Sequence, residues 1–257
     1  MRRALGAYTG LILAALYAPI AVMVVYSFNA SNSFRWTGFT LEWYRRAWEN
    51  RDLRSALANT VVLALVSMTL ATVLGTMAAL AARPVFRGKK LYAALVSLPV
   101  MVPDIVLAVA LLALFRALGV SLSLWTAALA HTTFNLSYVA VTVSARLQGM
   151  DRTAELAAQD LGATPWGAFW RVTFPAILPG VLSGALLAFT LSFDDFAVTY
   201  FTSGPGGATL PVMVYSMVRF GVTPEINAVS TVLLAASLGL IVASLRLSRV
   251  PVAGGGR

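Results

Sequence analysis

Long apolar stretches dominate this chain and limit what it can fold into. Only 11% of its 257 residues are charged and 59% are hydrophobic, whereas a soluble domain carries about 25% charged residues. A helix crosses a bilayer with about 20 mostly apolar residues, and it satisfies its own backbone hydrogen bonds there. The sequence therefore predicts an all-α integral membrane protein with six transmembrane helices, at roughly 8–28, 56–82, 91–115, 122–146, 178–201 and 227–246.

The basic residues predict how these helices are oriented. An even number of spans places both termini on the same side of the membrane. Twelve of the 19 Lys and Arg residues lie in segments that would share that side, four of them in loop 83–90, RPVFRGKK. Because basic loops stay in the cytoplasm, both termini are predicted to be cytoplasmic. The opposite loop, 29–55, contains LEWYRRAWENRDL, which predicts an amphipathic helix at the outer surface.

The same pattern divides the chain into three parts. Residues 1–54 hold the first transmembrane helix and the outer amphipathic loop, and residues 55–246 hold the transmembrane core. Residues 247–257 form a cytoplasmic tail that we expect to be disordered. The basic start followed by an apolar run is superficially like a signal peptide, but the run is too long and no small-residue cleavage site follows it. We therefore expect this segment to be retained as the first span.

The composition excludes several kinds of site. The chain has no cysteine, and His131 is its single histidine, so thiolate metal sites and histidine clusters are excluded. No metal site and no catalytic residue are predicted. The phosphate-loop pattern G-x-x-x-x-G-K-[ST] is missing, so the chain is not expected to bind ATP or another cofactor itself. The net charge of +9 is dispersed along the chain, so nucleic acid is not an expected partner.

One polar segment, residues 151–179, interrupts the apolar pattern with the sequence DRTAELAAQDLGATPWGAFWRVTFPAILP. Asp151 suits a helix N-cap, and residues 152–161 are strong helix formers. Gly162 suits the left-handed position that ends a helix. A short helix followed by a sharp turn is therefore predicted.

Threonine and prolines organise the rest of this segment. Thr164 followed by Pro165 predicts the start of a second helix, with the proline in its first turn. Pro175 and Pro179 are predicted to break the chain before the fifth span. The segment as a whole should be a helical hairpin that projects from the membrane.

Three carboxylates lie within the predicted spans, at Asp104, Asp194 and Asp195. Insertion of a carboxylate at mid-bilayer costs roughly 2.5–3.5 kcal/mol, so each needs a reason. Counted along their helices at about 1.5 Å per residue, Asp104 and Asp194 reach a similar depth. One interpretation is a shared anionic zone that lines a pathway for a cation. The alternative is pairing with Arg116, Arg219 or backbone amides.

The third and fourth spans carry further polar signals. Pro99 and Pro103 are predicted to break the third helix just before Asp104, as happens where backbone lines a cavity. His131 opens a polar patch, HTTFNLS at 131–137, and we expect it to form hydrogen bonds between helices. A ligand-binding or proton-relay role for His131 is the less favoured alternative.

The polar segment also carries a family resemblance. An alanine pair, a glycine four residues after it and a distant Leu-Pro resemble the cytoplasmic "EAA" coupling segment of ATP-binding-cassette (ABC) importer permeases; here they are Ala157, Ala158, Gly162, Leu178 and Pro179. The resemblance implies that this helix docks on a separate ATPase subunit. Leu156 stands at the usual glutamate position, with Glu155 one residue earlier. An interfacial loop without a partner is the alternative that the pattern alone leaves open.

The last third of the chain sharpens this resemblance. It contains LSFDDF at 191–196, SGPG at 203–206 and VTPEINA at 222–228, and these motifs resemble the second permease subunit of the spermidine/putrescine ABC importers. The fold implied is that of a type I importer permease in the bacterial inner membrane. The implied partners are a sister permease, a dimer of ATPase subunits that binds ATP and Mg, an extracytoplasmic solute-binding protein and the lipid bilayer.

The resemblance also implies two groups of site residues. Those expected to couple the chain to the ATPase are Glu155, Leu156, Ala157, Ala158, Asp160 and Gly162. Those expected along the substrate pathway are Trp43, Asp104, Ser192, Asp194 and Asp195. Acidic and aromatic side chains together suit an ammonium ligand. The same fold also serves other small solutes, so polyamine is the first substrate to test.

Two rival functions remain on the sequence alone. A self-powered secondary transporter would use the membrane carboxylates for protons or ions, but no inverted repeat is evident between the two halves. An intramembrane enzyme would use His131 with a serine, but no nucleophile motif accompanies the histidine.

Overall fold

The computed structural model is built from helices and describes residues 2–32, 35–219, 221 and 223–248. A π-helical turn, Phe169–Thr173, joins α8 to α9. The α-helices are α1 Arg2–Tyr26, α2 Glu42–Glu49, α3 Arg51–Ala81, α4 Lys89–Met101, α5 Asp104–Ala117, α6 Leu124–Gln148, α7 Thr153–Asp160, α8 Pro165–Ala168, α9 Phe174–Phe193, α10 Ala197–Thr202, α11 Leu210–Arg219 and α12 Pro224–Ser248. The all-α prediction is confirmed. The predicted tail from residue 249 onward lies outside the described residues.

Within the described part of the chain, four helical segments are long and apolar enough to cross a membrane. They are Tyr8–Tyr26, Arg51–Ala81, Pro165–Phe193 and Pro224–Val242. The pair α4 and α5 meets the same criterion together, although it bends by 107° at its break. Helix α6 is 25 residues long, but its polar patch makes it less apolar than the other four. Length and composition thus supply four spans, or five with the bent pair.

The predicted break in the third span is confirmed at Pro103. Val102 has extended backbone, with φ −83° and ψ 133°, because the proline ring disfavours helical geometry in the residue before it. Pro99, by contrast, lies inside α4, so it does not end the helix. The chain then starts α5 at Asp104 in a new direction, and this sharp change was not predicted.

The fifth span differs from its prediction at both ends. Pro175 and Pro179 do not break the chain: Pro175 lies in the first turn of α9 and Pro179 lies inside the helix. A first-turn proline costs little, since its missing N–H group would have no helical partner anyway. At the other end α9 stops at Phe193, and α10 begins only at Ala197. A continuous helix over 178–201 is therefore wrong.

The chain forms two compact units. The first unit comprises residues 1–57 and 210–236. Its buried core contains Leu53, Ala56, Leu210 and Val229. The predicted amphipathic helix of the outer loop is present as α2, and Trp48 exposes 68% of its surface there.

Among the described residues, the second unit comprises 58–209 and 237–248, and α6 lies at its centre. Small residues let neighbouring helices approach α6 closely. A Cβ atom on Gly75 of α3 would lie 2.7 Å from the Leu136 carbonyl oxygen of α6. A Cβ atom on Gly184 of α9 would lie 3.3 Å from Val139 on the same helix. Helix α6 is therefore packed on two sides by glycine-lined contacts.

Candidate functional site

The polar segment forms the predicted helix–turn–helix. Asp151 Oδ1 accepts hydrogen bonds from the Thr153 hydroxyl at 2.6 Å and the Thr153 backbone N–H at 2.9 Å. These two bonds, the hydroxyl bond first, lower the pKa of Asp151 from its ordinary value. Gly162 has φ +92°, as a helix-ending glycine should. Thr164 caps α8 by accepting a bond from the Gly167 N–H at 3.1 Å.

Helix α7 presents apolar side chains to its surroundings. None of its residues is buried. Leu156 exposes 58% of its surface, and Leu161, directly after the helix, exposes 90%. Apolar groups exposed together in this way are typical of a surface that contacts another protein.

Glu155 of α7 is held by another part of the same unit. Its Oε2 accepts a hydrogen bond from Arg83 Nη2 at 2.9 Å, and the two side chains are only 22% and 16% exposed. Arg83 lies just after the end of α3, 72 residues earlier in the sequence. The partner of Glu155 thus comes from the predicted cytoplasmic loop 83–90.

A cleft of about 570 Å³ lies beside this ion pair. It is lined by the end of α3, the first turn of α7 and the aromatic start of α8. The lining residues are Leu80, Arg83, Pro84, Arg152, Glu155, Leu156, Pro165, Trp166 and Phe169. Trp166 is 70% exposed, so the cleft opens onto the same surface as α7.

Asp104 stands at the break between α4 and α5, which is the first helical break of the second unit. It is the first residue of α5 and is exposed. A carboxylate in the first turn of a helix is stabilised by the helix dipole. Among the described residues of this unit, no ion pair to Asp104 is found.

The two neighbouring aspartates stand at the second break and differ sharply. Asp195 caps α10, because its Oδ1 accepts a bond from the Thr199 N–H at 2.9 Å and its Oδ2 accepts one from the Val198 N–H at 3.4 Å. Asp194 is the C-cap residue of α9 and is exposed. Pairing of one aspartate with backbone amides, which the sequence left open, is therefore found for Asp195.

A buried group of polar side chains holds this second break; we call it the polar cluster. His131 Nδ1 lies 3.0 Å from Ser192 Oγ, and His131 Nε2 lies 2.9 Å from Thr199 Oγ1 and 3.2 Å from Asp195 Oδ1. The hydrogen bonds between helices that were predicted for His131 are thus confirmed. The cluster joins α3, α6, α9 and α10, and its members are Ser67, His131, Asn135, Ser192, Asp195 and Thr199.

Ser192 is the centre of the polar cluster. Its hydroxyl oxygen accepts a bond from Asn135 Nδ2 at 2.7 Å and lies 2.7 Å from Ser67 Oγ. Asp195 and Thr199 take up the Nε2 side of His131, and Nδ1 shares its hydrogen bond with Ser192. Serine, histidine and aspartate here are in the order of a nucleophile and its base. However, Ser192 is 1% exposed and His131 is 0% exposed. No substrate reaches these two side chains, so the cluster holds the helices together and is not a catalytic site.

Trp43 lies in the first unit, on α2. Its Nε1–H donates a hydrogen bond to the Asn29 carbonyl at 2.7 Å. The Arg46 guanidinium lies 5.0 Å from the centre of its ring, which is cation–π distance. Trp43 therefore ties the outer loop to α2, and one face of its ring already holds a cation.

The structure brings only part of the predicted pathway together. Helix α5 packs against α10, and their shared apolar core includes Ala108 and Val198. Asp104 and Asp194 each lie four residues before one of these core positions. Ser192 and Asp195 point into the polar cluster instead.

Three participants were not predicted from the sequence: Arg83, Ser67 and Thr199. Arg83 was counted only as a loop charge, and its pairing with Glu155 has no local signal. Ser67 lies in an apolar span that also carries Thr60, Thr69, Thr72 and Thr76, so nothing in the sequence marked it as the hydroxyl that joins a polar network.

Comparison with known proteins places this arrangement in context. Residues 71–250 match the family described as "Binding-protein-dependent transport system inner membrane component". The chain is 42% identical over 245 residues to the spermidine/putrescine transport system permease protein PotC of Haemophilus influenzae, covering 95% of each chain. It is 44% identical over 233 residues to the putrescine transport system permease protein PotI of Escherichia coli K12, covering 86% of this chain and 82% of that protein.

The fold is also found in solved structures. A crystal structure of a bacterial alginate ABC transporter, in complex with an alginate-pentasaccharide-bound periplasmic protein, matches with a TM-score of 0.71. The match covers 96% of this chain and 95% of that chain, at 15% sequence identity. At so low an identity, this structural match establishes the fold alone.

Proposed function

The chain belongs to the family of binding-protein-dependent transport system inner membrane components, and we propose that the solute it moves is a polyamine, spermidine or putrescine. It is a permease subunit of an ABC importer in a bacterial inner membrane, and not an enzyme. The observation that carries the substrate proposal is 42% identity over 95% of the chain to a spermidine/putrescine permease.

The exposed carboxylates support a cationic solute. Asp104 and Asp194 each stand at a helix break in the second unit, and each precedes a residue of the shared apolar core by four positions in the sequence. Neither has an ion pair among the described residues of that unit. A polyamine carries ammonium groups, and carboxylates without a cationic partner are the groups that would replace its water.

The other predicted pathway residues have weaker claims to direct contact. Ser192 and Asp195 reach substrate only if the polar cluster opens, because their side chains bond within it. An ammonium group at Trp43 would compete with Arg46 for the ring face. We therefore assign first contact in this chain to Asp104 and Asp194.

We propose the six-span topology with both termini in the cytoplasm. The bent pair α4 and α5 forms one broken span, and α6 forms a span whose polar patch faces the interior of its unit. This arrangement places α7 and loop 83–90 on the cytoplasmic side together. The Arg83–Glu155 ion pair supports it, since both partners must then lie on one side of the membrane.

We further propose that the chain works with a sister permease, a dimer of ATPase subunits and a solute-binding protein. The ATPase subunits bind ATP and Mg, and this chain contributes α7 as their docking helix. Docking of the loaded binding protein and closure of the ATPase dimer open the permease outward. Hydrolysis then returns it to the inward-facing state.

The test is ATP-dependent uptake of labelled spermidine and putrescine into vesicles that carry the complete transporter. Asp194→Asn should abolish most uptake while the complex still assembles. Asp195→Ala should instead reduce assembly, because it removes the oxygen atoms that cap α10. Asp52→Asn, an exposed carboxylate at the start of α3, is the matched control and should transport normally.

The outcomes separate the parts of the proposal. Uptake without ATP would indicate a secondary transporter. ATP-driven uptake of a different solute would keep the permease and remove the polyamine. Normal polyamine uptake by Asp194→Asn would remove the carboxylate pathway.

A further inference from the structure

We propose that Arg83 is a positioning residue that couples helix α7 to helix α3, so that motion of the docking helix is delivered to the polar cluster. This inference rests on the proposed function, in which α7 docks on the ATPase. Its basis is the 2.9 Å ion pair between Arg83 and Glu155. The two side chains are only 16% and 22% exposed, so water and salt screen the pair less than they screen a surface ion pair.

The cytoplasmic end of this connection is short and rigid. Helix α3 ends at Ala81, and the backbone N–H of Arg83 still bonds to the Leu80 carbonyl at 3.1 Å. Arg83 is therefore anchored to the last turn of α3 and not to a free loop. Glu155 lies in the first turn of α7, so the contact joins one helix end to another without an intervening flexible segment.

Near its middle, at Ser67, α3 contacts the polar cluster. Ser67 lies about 24 Å from Arg83 along the helix axis, at about 1.5 Å per residue. Its hydroxyl lies 2.7 Å from that of Ser192. Ser192 in turn contacts His131, which contacts the α10 cap Asp195.

The part of α3 between Ser67 and Arg83 is packed too tightly to bend locally. A Cβ atom on Gly75 would lie 2.7 Å from both the Leu136 carbonyl oxygen and Val139 Cβ. Closely packed helices move as rigid bodies between discrete arrangements instead of deforming continuously. A displacement of α7 is thus transmitted along α3 to the break that carries Asp194.

This geometry gives Glu155 a role different from docking. Its carboxylate is engaged by Arg83, whereas the side chains that α7 leaves exposed are apolar, including Leu156. We therefore assign contact with the ATPase to the apolar face of α7. The Glu155 carboxylate transmits the motion of α7 to α3.

The first experiment measures solute transported per ATP hydrolysed by the reconstituted transporter. Arg83→Ala should lower this ratio by roughly 3- to 30-fold, the range of mutations along coupling networks, while ATP hydrolysis continues. Arg83→Lys, which keeps the charge, should restore much of it. The charge exchange Arg83→Glu with Glu155→Arg should recover the ratio relative to either single change. Arg87→Ala, an exposed arginine of the same loop, should behave as wild type.

Additive effects in this double-mutant cycle would overturn the proposal. So would a ratio for Arg83→Ala equal to that of Arg87→Ala. If Arg83→Ala merely folds poorly, it should lose ATP hydrolysis and transport together. In that case Arg83→Lys, which keeps the positive charge, is the variant that tests the ion pair.

A second measurement needs no solute and so separates this inference from the substrate proposal. The chain has no cysteine, so spin labels can be placed at Val85, which is 94% exposed, and at Gln159, an exposed polar residue of α7 outside its apolar face. The distance between the labels should stay narrow and constant as nucleotide is added to the wild-type complex. In Arg83→Ala it should broaden and change with nucleotide. Identical distance distributions in the two proteins would refute the connection, whether or not polyamine is transported.

Discussion

Replacement of Ser192 by alanine tests whether the polar cluster holds the second unit together. The substitution removes one oxygen atom and creates almost no cavity. That oxygen contacts Ser67, His131 and Asn135, all of which are fully buried. Ser67 keeps its bond to the Ala64 carbonyl at 3.3 Å. The change therefore isolates hydrogen bonding from packing.

The Asn135 side-chain amide and the Nδ1 atom of His131 would each lose their hydrogen-bond partner. Asn135 Nδ2 has its bond to Ser192, and Asn135 Oδ1 already lacks a hydrogen-bond partner, so the whole amide would be left unpaired. His131 would keep its Nε2 contacts and lose its Nδ1 contact. Hydrogen bonds between membrane helices average about 0.6 kcal/mol and reach about 1.7 kcal/mol. Two lost partners therefore predict a loss of about 1–3 kcal/mol in the free energy of unfolding.

The assay is SDS-induced unfolding of the purified transporter in mixed micelles. A fluorophore on a cysteine introduced at Leu129, which is 54% exposed on α6, reports on this chain alone. Ser216→Ala is the matched control, because it removes the same atom from an exposed hydroxyl whose partner is the nearby Met213 carbonyl. If Ser192→Ala unfolds at the same SDS fraction as Ser216→Ala, the polar cluster does not stabilise the second unit and the prediction is refuted.

Three further changes have directions that follow from single contacts. Gly75→Ala should destabilise the chain by about 1–3 kcal/mol through overpacking, whereas Gly239→Ala, which meets open space, should not; thermal unfolding compares the two. Trp43→Phe removes the indole hydrogen bond of the outer loop and should weaken it by about 0.5–1.5 kcal/mol, seen as faster trypsin cleavage of that loop. Because the folded pKa of Asp151 is lowered, its stabilisation of α7 is present above the unfolded pKa and is lost as pH falls through the folded value. A carboxyl ¹³C titration should therefore find Asp151 titrating below an ordinary aspartate, and a Thr153→Val change should raise its pKa.

Local signals in the sequence predicted the polar segment well. Gly162 and Thr164 act through the backbone at the positions predicted for them. The predicted N-cap, Asp151, lies one residue too early, because Arg152 occupies the N-cap position, but Asp151 still accepts the Thr153 backbone N–H. The limits of α7 were predicted to within one residue at each end. The break at Pro103 was predictable for the same reason, because a proline acts on the residue directly before it.

Features that depend on distant contacts could not be predicted in this way. The 107° bend after α4 is set by what α5 packs against, namely α10 and α6. The partner of Glu155 lies 72 residues away, and several basic residues of loop 83–90 were equally eligible from sequence. The prediction that Pro175 and Pro179 break the chain was wrong, because a proline can also lie in the first turn of a helix or within a helix that neighbouring helices support.

The two adjacent aspartates show why residue type alone does not assign a role. Neighbouring residues on a helix point about 100° apart, so at most one of the pair can face a given pathway. Here α9 ends at Phe193, and Asp195 turns inward to cap α10 and to meet His131. That inward contact stabilises a break in the backbone inside an apolar protein, and the break is what leaves Asp194 outside the cluster. The inward-facing aspartate, Asp195, thus keeps Asp194 exposed. Loss of transport in a double variant could therefore be assigned to one residue only with the two single variants.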